Sequence, residues 1–566
     1  MKAILARPEV KFAGYALLAG VLTALAWGLP NQPQPAGPDI HKPLSSVSFA
    51  PFRDGQSPLT KVYPPPAQIE DDMLRLKGIA RGLRTYTSRE GMEVVPELAR
   101  RHGFKVMFGA WLGAETKAEG RAINAAETDA LIKAATTYPD VIDRVIVGNE
   151  VLLRRDLPPQ RLIDYIRKVK QAVNQPVTYA DVWAFWLKHP EVANEVDFLT
   201  IHILPYWEDE PIGVDHVGKH FEDIHALMRK AFPGKPILIG EAGWPTAGRS
   251  RGPATTGVVS AATHLRTLVD TATKNGFDYN VVEAFDQIWK SKLEGTVGAK
   301  WGVLDEARRP KFPLRGPVVE DHLWPWKAGL AIVLALVALF PKIRYLGAAR
   351  PGLALITVGA AMAMASVLVL YAAMALSFSF VWWSGALYLL LGVLLAALGW
   401  GALRDIAYWM PGALEDGLAA WIPRLYLALA GLAILLALLL IFDGRYRDIP
   451  TPMFLLPGVV VLALGLGRKM AGVPLVQALR LLSPLYDARW TAGWALIFPL
   501  LAIANLGAEG LALVGEDFTK MHPTFAEQWP LILAGTVANA EVNGWSALLL
   551  LLGLPFAAHW RANRRA

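Results

Sequence analysis

"DRVIVGNEVLLR" (143–154) carries three β-branched apolar residues, Val145, Ile146 and Val147, straight into Gly148, Asn149 and Glu150. Such a run reads as a buried strand. A carboxylate at its end is costly to bury unless it is paired or put to use. "KPILIGEAGWPT" (235–246) repeats the arrangement: Pro236 to Ile239 form a second apolar strand, Gly240 follows, and Glu241 stands at the tip. Two buried strands, each delivering a glutamate at its C-terminal end, decide how the chain around them is read.

Working outward, short apolar runs alternate with amphipathic stretches. The spacing predicts strands over 46–52, 79–86, 104–111, 144–150, 177–183, 197–203, 236–241 and 279–285. Between them lie helical patterns such as "GMEVVPELARRHG" and "PPQRLIDYIRKVKQAV", several with Pro near the start and Gly at the end. Strict alternation implies parallel strands joined by crossovers. Eight such units fit a closed (β/α)8 barrel of the α/β class better than an open sheet. A barrel of this kind gathers its functional groups at the C-terminal ends of the strands. Glu150 at the end of the fourth strand and Glu241 at the end of the seventh then face one bowl.

The chain has 566 residues, 53% of them hydrophobic, unevenly spread. From Trp324 onward come blocks such as "LALITVGAAMAMASVLVLYAAMAL" and "LYLALAGLAILLALLLIF", which read as membrane spans. One more apolar block, Phe12 to Leu29, follows Lys2, Arg7 and Lys11. It reads as an uncleaved signal anchor, with "ALAW" (24–27) as the small-residue site that a cleavable signal would use. Spans are expected over 11–29, 326–341, 352–375, 380–402, 425–442, 453–467, 491–514 and 530–557. The resulting organisation is an N-terminal helix (1–30), a Pro-rich linker (31–45), a soluble barrel (46–322) and an all-α polytopic membrane domain of about seven helices (323–566).

Basic residues at the N-terminus, in "KIRYLGAAR" (342–350), "RKMAG" (468–472), at Arg480 and Arg489, and in the tail "RANRRA" fall on one side of eight spans. The positive-inside rule makes that side the cytoplasm and puts the barrel opposite. In "DGRYRDIP" (443–450) two arginines are balanced by two aspartates. The net charge of +7 therefore belongs to membrane ends, and no basic stripe points to nucleic acid. Cysteine is absent, which removes disulfides, thiol chemistry and cysteine metal sites. Among His102, His189, His216, His220 and His225 no spacing repeats a metal motif, so no metal and no cofactor is expected. His202, alone within the sixth strand, reads as a hydrogen-bonded structural residue.

Two carboxylates across a cleft suit glycosidic bond chemistry: one, protonated, assists the leaving oxygen, and the other, ionised, attacks the anomeric carbon. Their surroundings, "VGNEVLLR", "IGEAGWPT", "LRTYTS" (83–88), "PYWED" (205–209) and "EAFDQIWK" (283–290), resemble glycoside hydrolase family 17 over roughly residues 45–312. That resemblance implies a retaining β-1,3-glucan-active barrel with Glu150 as general acid/base and Glu241 as nucleophile. It implies Asn149 on the sugar 2-hydroxyl and Tyr86 and Tyr206 lining the reacting subsite. The family's Glu-x-x-Lys at the end of strand eight is Gln287-x-x-Lys290 here, a departure at Gln287, and Glu294 matches a further acidic position.

Aromatic rings offer faces on which sugars stack. Trp183, Phe185, Trp186, Trp207, Trp244 and Trp289 fall at the C-terminal rim. Sugar contact is expected of Trp207 and Trp244, while core packing is an equal reading for Phe185 and Trp186. Asp181 and Glu208 read equally as hydroxyl binders and as rim charges. In the membrane half, Glu509 and Glu541, with Asn505, Asn539 and Asn543 nearby, either line a polar path or pair between the last two spans, or sit at the interface. No ATP-binding motif and no D…D…D…QxxRW run of a processive glycosyltransferase is present.

The whole resembles bacterial family-17 proteins with multi-span tails that take part in making β-(1,3),(1,6)-glucans, as in bradyrhizobia. The implied function is a membrane-anchored retaining β-glucan transglycosylase that elongates, branches or cyclises periplasmic glucans. The alternatives are an endo-β-1,3-glucanase and a non-catalytic glucan-binding scaffold or transport component. The implied partners are a β-glucan oligosaccharide or polysaccharide, the lipid bilayer and a separate membrane glucan synthase. The implied setting is a bacterial inner membrane, with the barrel in the periplasm and both termini cytoplasmic.

Overall fold

A computed structural model of the chain describes residues 7–408, 419–485 and 487–564. Lys2 of the basic N-terminus and Arg565 of the basic tail lie outside these residues. The chain divides into two compact units, one of them Pro33–Val318 together with Gly515–Gln528.

Within that unit eight parallel strands close into a barrel in sequence order. They are β1 (Leu44–Ser48), β2 (Ala80–Arg84), β3 (Lys105–Ala110), β4 (Ile142–Asn149), β5 (Val177–Val182), β6 (Leu199–His202), β7 (Ile237–Ala242) and β8 (Asp278–Val281). Closure is made by Val47 of β1 opposite Val281 of β8. Each expected strand is present, displaced by a few residues at its ends. The strands are buried on both faces, which is why they read as apolar runs rather than as alternation. Helix punctuation follows the sequence signals: Pro66–Arg75 and Pro159–Ala172 begin at proline. Val95–His102 and Val258–Asn275 end at Gly103 (φ 80°) and Gly276 (φ 69°), in the left-handed conformation that glycine adopts without strain.

The Pro-rich stretch read as a linker packs on the barrel. Ala36 and Ile40 belong to its core, Gln34 pairs antiparallel with Val318, and the Ile40 N–H donates to the Leu314 carbonyl at 3.0 Å. Proline prevents helix here but leaves isolated extended bridges available.

Among the described residues, the other unit holds eight helices long and apolar enough to cross a membrane. They are Pro8–Gly28, Trp324–Ala348, Pro351–Phe378, Trp382–Ile406, Trp421–Phe442, Thr451–Met470, Arg489–Leu511 and Ala540–Asn563. The number matches the sequence reading, and the last span is shifted. The chain breaks at Asn539, whose side chain caps the following helix by accepting from the Val542 N–H at 3.2 Å. Phe525–Ala538 is thus a separate helix, where the sequence predicted one span over 530–557. Two buried polar pairs join spans: Arg468 with Asp405, and Asn539 with Glu509 at 2.6 Å. The pairing expected of Glu509 is therefore with Asn539, while Glu541 lies partly exposed in the first turn of Ala540–Asn563.

Candidate active site

Glu150 follows β4 directly, its N–H donating to the Ala180 carbonyl at 2.7 Å. The chain reaches it through Gly148 (φ 87°), and Glu150 itself has φ 51°. Side chains of a regular strand alternate between faces, so consecutive residues would diverge. Two left-handed residues flanking Asn149 abolish that alternation, and Asn149 and Glu150 enter one cluster. A Cβ at position 148 would lie 2.8 Å from Val151 Cγ2, so glycine is needed there for space as well as for φ. A non-glycine residue at φ 51° carries backbone strain of the kind concentrated at functional sites.

On the opposite arc a register shift between Ile201 and His202 sets His202 of β6 against Glu241 of β7. Gly240 leaves room for this pairing, since a Cβ there would fall 2.2 Å from Thr200 Cγ2. The fully buried His202 lies between the two glutamates, its Nδ1 3.0 Å from Glu150 Oε1 and its Nε2 3.7 Å from Glu241 Oε1. Arg84, at the end of β2 and 1% exposed, completes the cluster. Its Nη1 donates to Glu241 Oε1 at 3.0 Å and to the Gly240 carbonyl at 2.6 Å, and its Nη2 donates to Asn149 Oδ1 at 2.6 Å.

One oxygen of Glu150, one of Glu241 and a His202 ring nitrogen all lie within 4.8 Å of one another. That separation belongs with the ~5–5.5 Å of retaining glycosidases rather than the ~6.5–9.5 Å of inverting ones. The same three groups have the chemistry to hold a divalent ion. The Arg84 guanidinium already faces both Glu241 and His202 Nε2, the latter at 3.5 Å, so the charge of the carboxylates is balanced from within the chain.

Burial raises the Glu150 carboxyl, but the His202 hydrogen bond and the charges of His202, Arg154 and Arg84 outweigh it and hold the group below the usual carboxylate range. Burial and then the Glu150 charge push Asp181 up to about 7. Burial also pushes Glu283 up to about 7 against the pull of Lys290, with the Glu241 charge adding to the rise. Tyr86 is held well above its ordinary value by burial and by Glu241.

The structure redistributes the remaining expectations. Lys290 Nζ donates to Glu283 Oε1 at 2.8 Å, so the acid paired with this lysine is Glu283 rather than a residue at position 287. Gln287 is buried, its amide nitrogen on the Ala50 carbonyl at 2.7 Å and its oxygen accepting from Trp289 Nε1 at 2.8 Å. Glu294 belongs to the Lys290 corner: burial raises it, Lys290 opposes, and the charges of Glu150 and Glu241 add to the rise.

Trp244, of which sugar contact is expected, is buried with its Nε1 on the Thr255 carbonyl at 2.9 Å. Its ring extends the core under the mouth, beside His264 and Tyr206. Tyr206 is fully buried, its hydroxyl on the Arg249 carbonyl at 2.6 Å. Trp186 is core, bonded through Nε1 to the Thr200 carbonyl at 3.0 Å. Asp181 is also buried, held by Tyr179 and the Val182 N–H. Trp183, Phe185, Trp207 and Trp289 keep part of their surface open, and Tyr86 is half-buried beneath the Arg84 guanidinium, 5.0 Å from ring centroid to Cζ.

Sequence reasoning passed over Arg84, Glu283 and Trp111. Arg84 lay inside the quoted "LRTYTS", and an arginine closing a buried strand was the signal. Trp111, just past β3, is 39% exposed and lies under Arg154 at 4.2 Å.

Residues 46–302 match the BtgE/BtgC glycoside hydrolase domain. Among similar proteins, a glucan 1,3-beta-glucosidase of Arthroderma benhamiae is 28% identical over 265 residues, 44% of this chain and 83% of its own. One of the same name from Schizosaccharomyces pombe is 29% identical over 251 residues, 41% of this chain and 75% of its own. Against a btgC protein of Aspergillus niger, 27% identical, the match spans 49% of this chain and 44%, less than half, of that relative. A crystal structure of a family 17 beta-1,3-glucanosyltransferase from Rhizomucor miehei aligns with TM-score 0.42 and 26% identity, covering 48% of this chain and 98% of that one. The closed eight-stranded barrel with its strand-end glutamates is thus the part of this chain that matches the BtgE/BtgC glycoside hydrolase domain, in keeping with the family 17 resemblance of its motifs.

Proposed function

We propose that this protein is a membrane-anchored retaining transglycosylase of β-1,3-glucan. The observation that carries the reading is the pair Glu150 and Glu241, with oxygens within 4.8 Å and His202 between them. Glu241, oriented by Arg84, attacks the anomeric carbon. The bond to the leaving oxygen breaks, and the proton of the Glu150–His202 pair passes through Glu150 to that oxygen. The glycosyl ester on Glu241 then breaks as an acceptor hydroxyl attacks the same carbon and returns its proton to Glu150. With its carbonyl oxygen on Arg84, Asn149 offers its amide nitrogen to a sugar hydroxyl. The partly open rings of Tyr86, Trp183, Trp207 and Trp289 provide stacking surface for the glucan chain.

An acceptor sugar rather than water at the second step yields elongation, branching or cyclisation. The eight membrane-length helices support a reading in which the enzyme works at a membrane, beside a separate glucan synthase. The basic residues at span ends favour a bacterial inner membrane with a periplasmic barrel and cytoplasmic termini.

Mass spectrometry of products from a reduced-end-labelled laminari-oligosaccharide tests the reading, with Glu241→Gln as control. Products longer than the donor, absent from the control, are expected. Shorter products alone would make the protein an endo-β-1,3-glucanase. No products, with retained glucan binding, would make it a scaffold.

A further inference from the structure

The segment Gly515–Gln528 follows the seventh span in sequence yet folds with the barrel unit. Counting from Pro8–Gly28, the chain stands on the same membrane face after the first, third, fifth and seventh spans. Span parity therefore allows this segment to meet the domain that follows the first span.

Its contacts are concentrated on two neighbouring rim elements. Asp209 Oδ2 accepts from the backbone N–H groups of Asp517 (3.2 Å) and Phe518 (3.4 Å), capping the short helix Glu516–Met521. Glu210 Oε1 meets His522 Nε2 at 2.8 Å. Lys188 Nζ reaches Asp517 at 2.7 Å and Glu516 at 3.5 Å. Phe518 is buried, its ring beside that of His522.

The two elements so gripped carry the open aromatics. Lys188 ends the helix Trp183–Lys188 that begins with Trp183. Asp209 and Glu210 directly follow Trp207 and Glu208. Trp183 Nε1 also donates to Glu208 Oε1 at 3.3 Å, which links the two rims. The first half of the β6 loop is held from the barrel side, where Arg251 donates to the Tyr206 and Glu208 carbonyls at 2.8 and 3.0 Å. The second half, Asp209 and Glu210, is held by Gly515–Gln528. A flexible rim would lose conformational freedom each time a glucan chain docked, and that cost is subtracted from affinity.

We infer that Gly515–Gln528 is a positioning element of the glucan cleft. It touches no sugar, but it holds the rims bearing Trp183 and Trp207 in the geometry a long glucan chain needs. This rests on the glucan-active reading above and extends the cleft's determinants into the membrane-associated half of the sequence.

The chain contains no cysteine, so a thiol pair can be placed without background. A Cβ built on Gly515 would overlap the Asp209 carboxyl, 2.2 Å from its Cγ, so the two positions adjoin. With Asp209 replaced and the backbone eased to disulfide spacing, the full-length double variant Asp209→Cys, Gly515→Cys is expected to form a disulfide on oxidation. Reduced, it lacks the Asp209 cap, and its KM for laminarihexaose should rise about fivefold. Oxidised, its KM should return to near the wild-type value. Turnover of an aryl β-glucoside that fills the reacting subsite alone should be the same in both states.

An independent pair, Lys188→Glu with Asp517→Lys, should raise KM singly and restore it together. Failure of the thiols to join, or equal KM in the two redox states of an enzyme active on laminarihexaose, would overturn this inference alone. Wild-type protein inactive on laminari-oligosaccharides would overturn the glucan reading and this one with it.

Discussion

The two units bury polar side chains in opposite ways. In the barrel Arg84, Asn149, His202, Glu241 and Glu283 are all buried, and with Glu150 they converge on one end of the strands. In the helical unit, Asp405 meets Arg468, and Glu509 accepts from Asn539, buried contacts that each join one helix to another. Each architecture meets the cost of polar burial in its own way. Closed parallel strands aim many side chains at one point, so a network can meet its own hydrogen-bonding needs and still present reactive groups. Long apolar helices meet along their sides, so polar groups pin pairs of helices together.

The comparison breaks most sharply if catalysis survives loss of a convergent residue. Glu241→Gln should lower turnover of laminari-oligosaccharide by about a thousandfold or more, the covalent step having lost its nucleophile. Activity within tenfold of wild type would place the chemistry elsewhere. Arg84→Lys keeps the charge but cannot reach Glu241, Gly240 and Asn149 with one planar fork. A fall in kcat of about 10- to 100-fold is expected with folding intact, and unchanged kcat would reduce Arg84 to packing.

The helical unit should respond in stability instead. Asp405→Asn withdraws the carboxylate facing Arg468 and should cost about 3 kcal/mol, read as a lower melting temperature in detergent. The kcat of the folded fraction should not change, and a specific loss of kcat would tie this pair to the barrel's chemistry.

The smallest effect concerns pH. Asp181 is pushed up to about 7 by burial and by Glu150, whereas in an unfolded chain it titrates near 3.9. The folded protein holds that proton more tightly, so this group's contribution to stability declines as pH rises from about 4 to about 7. Asp181→Asn should remove that part of the slope when melting temperatures at pH 5 and pH 7 are compared. An unaltered slope would show that Asp181 is ionised throughout this range.

Much of this architecture was legible in the linear chain. "DRVIVGNE" and "KPILIGE" reported two buried strands with polar tips because parallel strands covered on both faces are apolar along their length. The apolar blocks reported eight spans because hydrocarbon thickness sets helix length. The acid partner of Lys290 was not legible from spacing. Gln287 stands three residues away and Glu283 seven, and only the turn after β8 brings the farther one within 2.8 Å. The burial of Trp244 and Asp181 was not legible, because a rim position in sequence does not say which way a side chain turns.

By itself, then, the sequence determined the alternation of strand and helix, the glutamates at the strand tips and the division into a barrel and a set of spans. These follow from local periodicity and from the solvent each segment must match. Only the tertiary structure decided that His202 stands between the carboxylates and that Arg84 holds Glu241 and Asn149, that Glu283 answers Lys290, and that Gly515–Gln528 folds with a barrel hundreds of residues away. Such contacts depend on barrel closure and strand register. Those are properties of the whole chain, which no local stretch encodes.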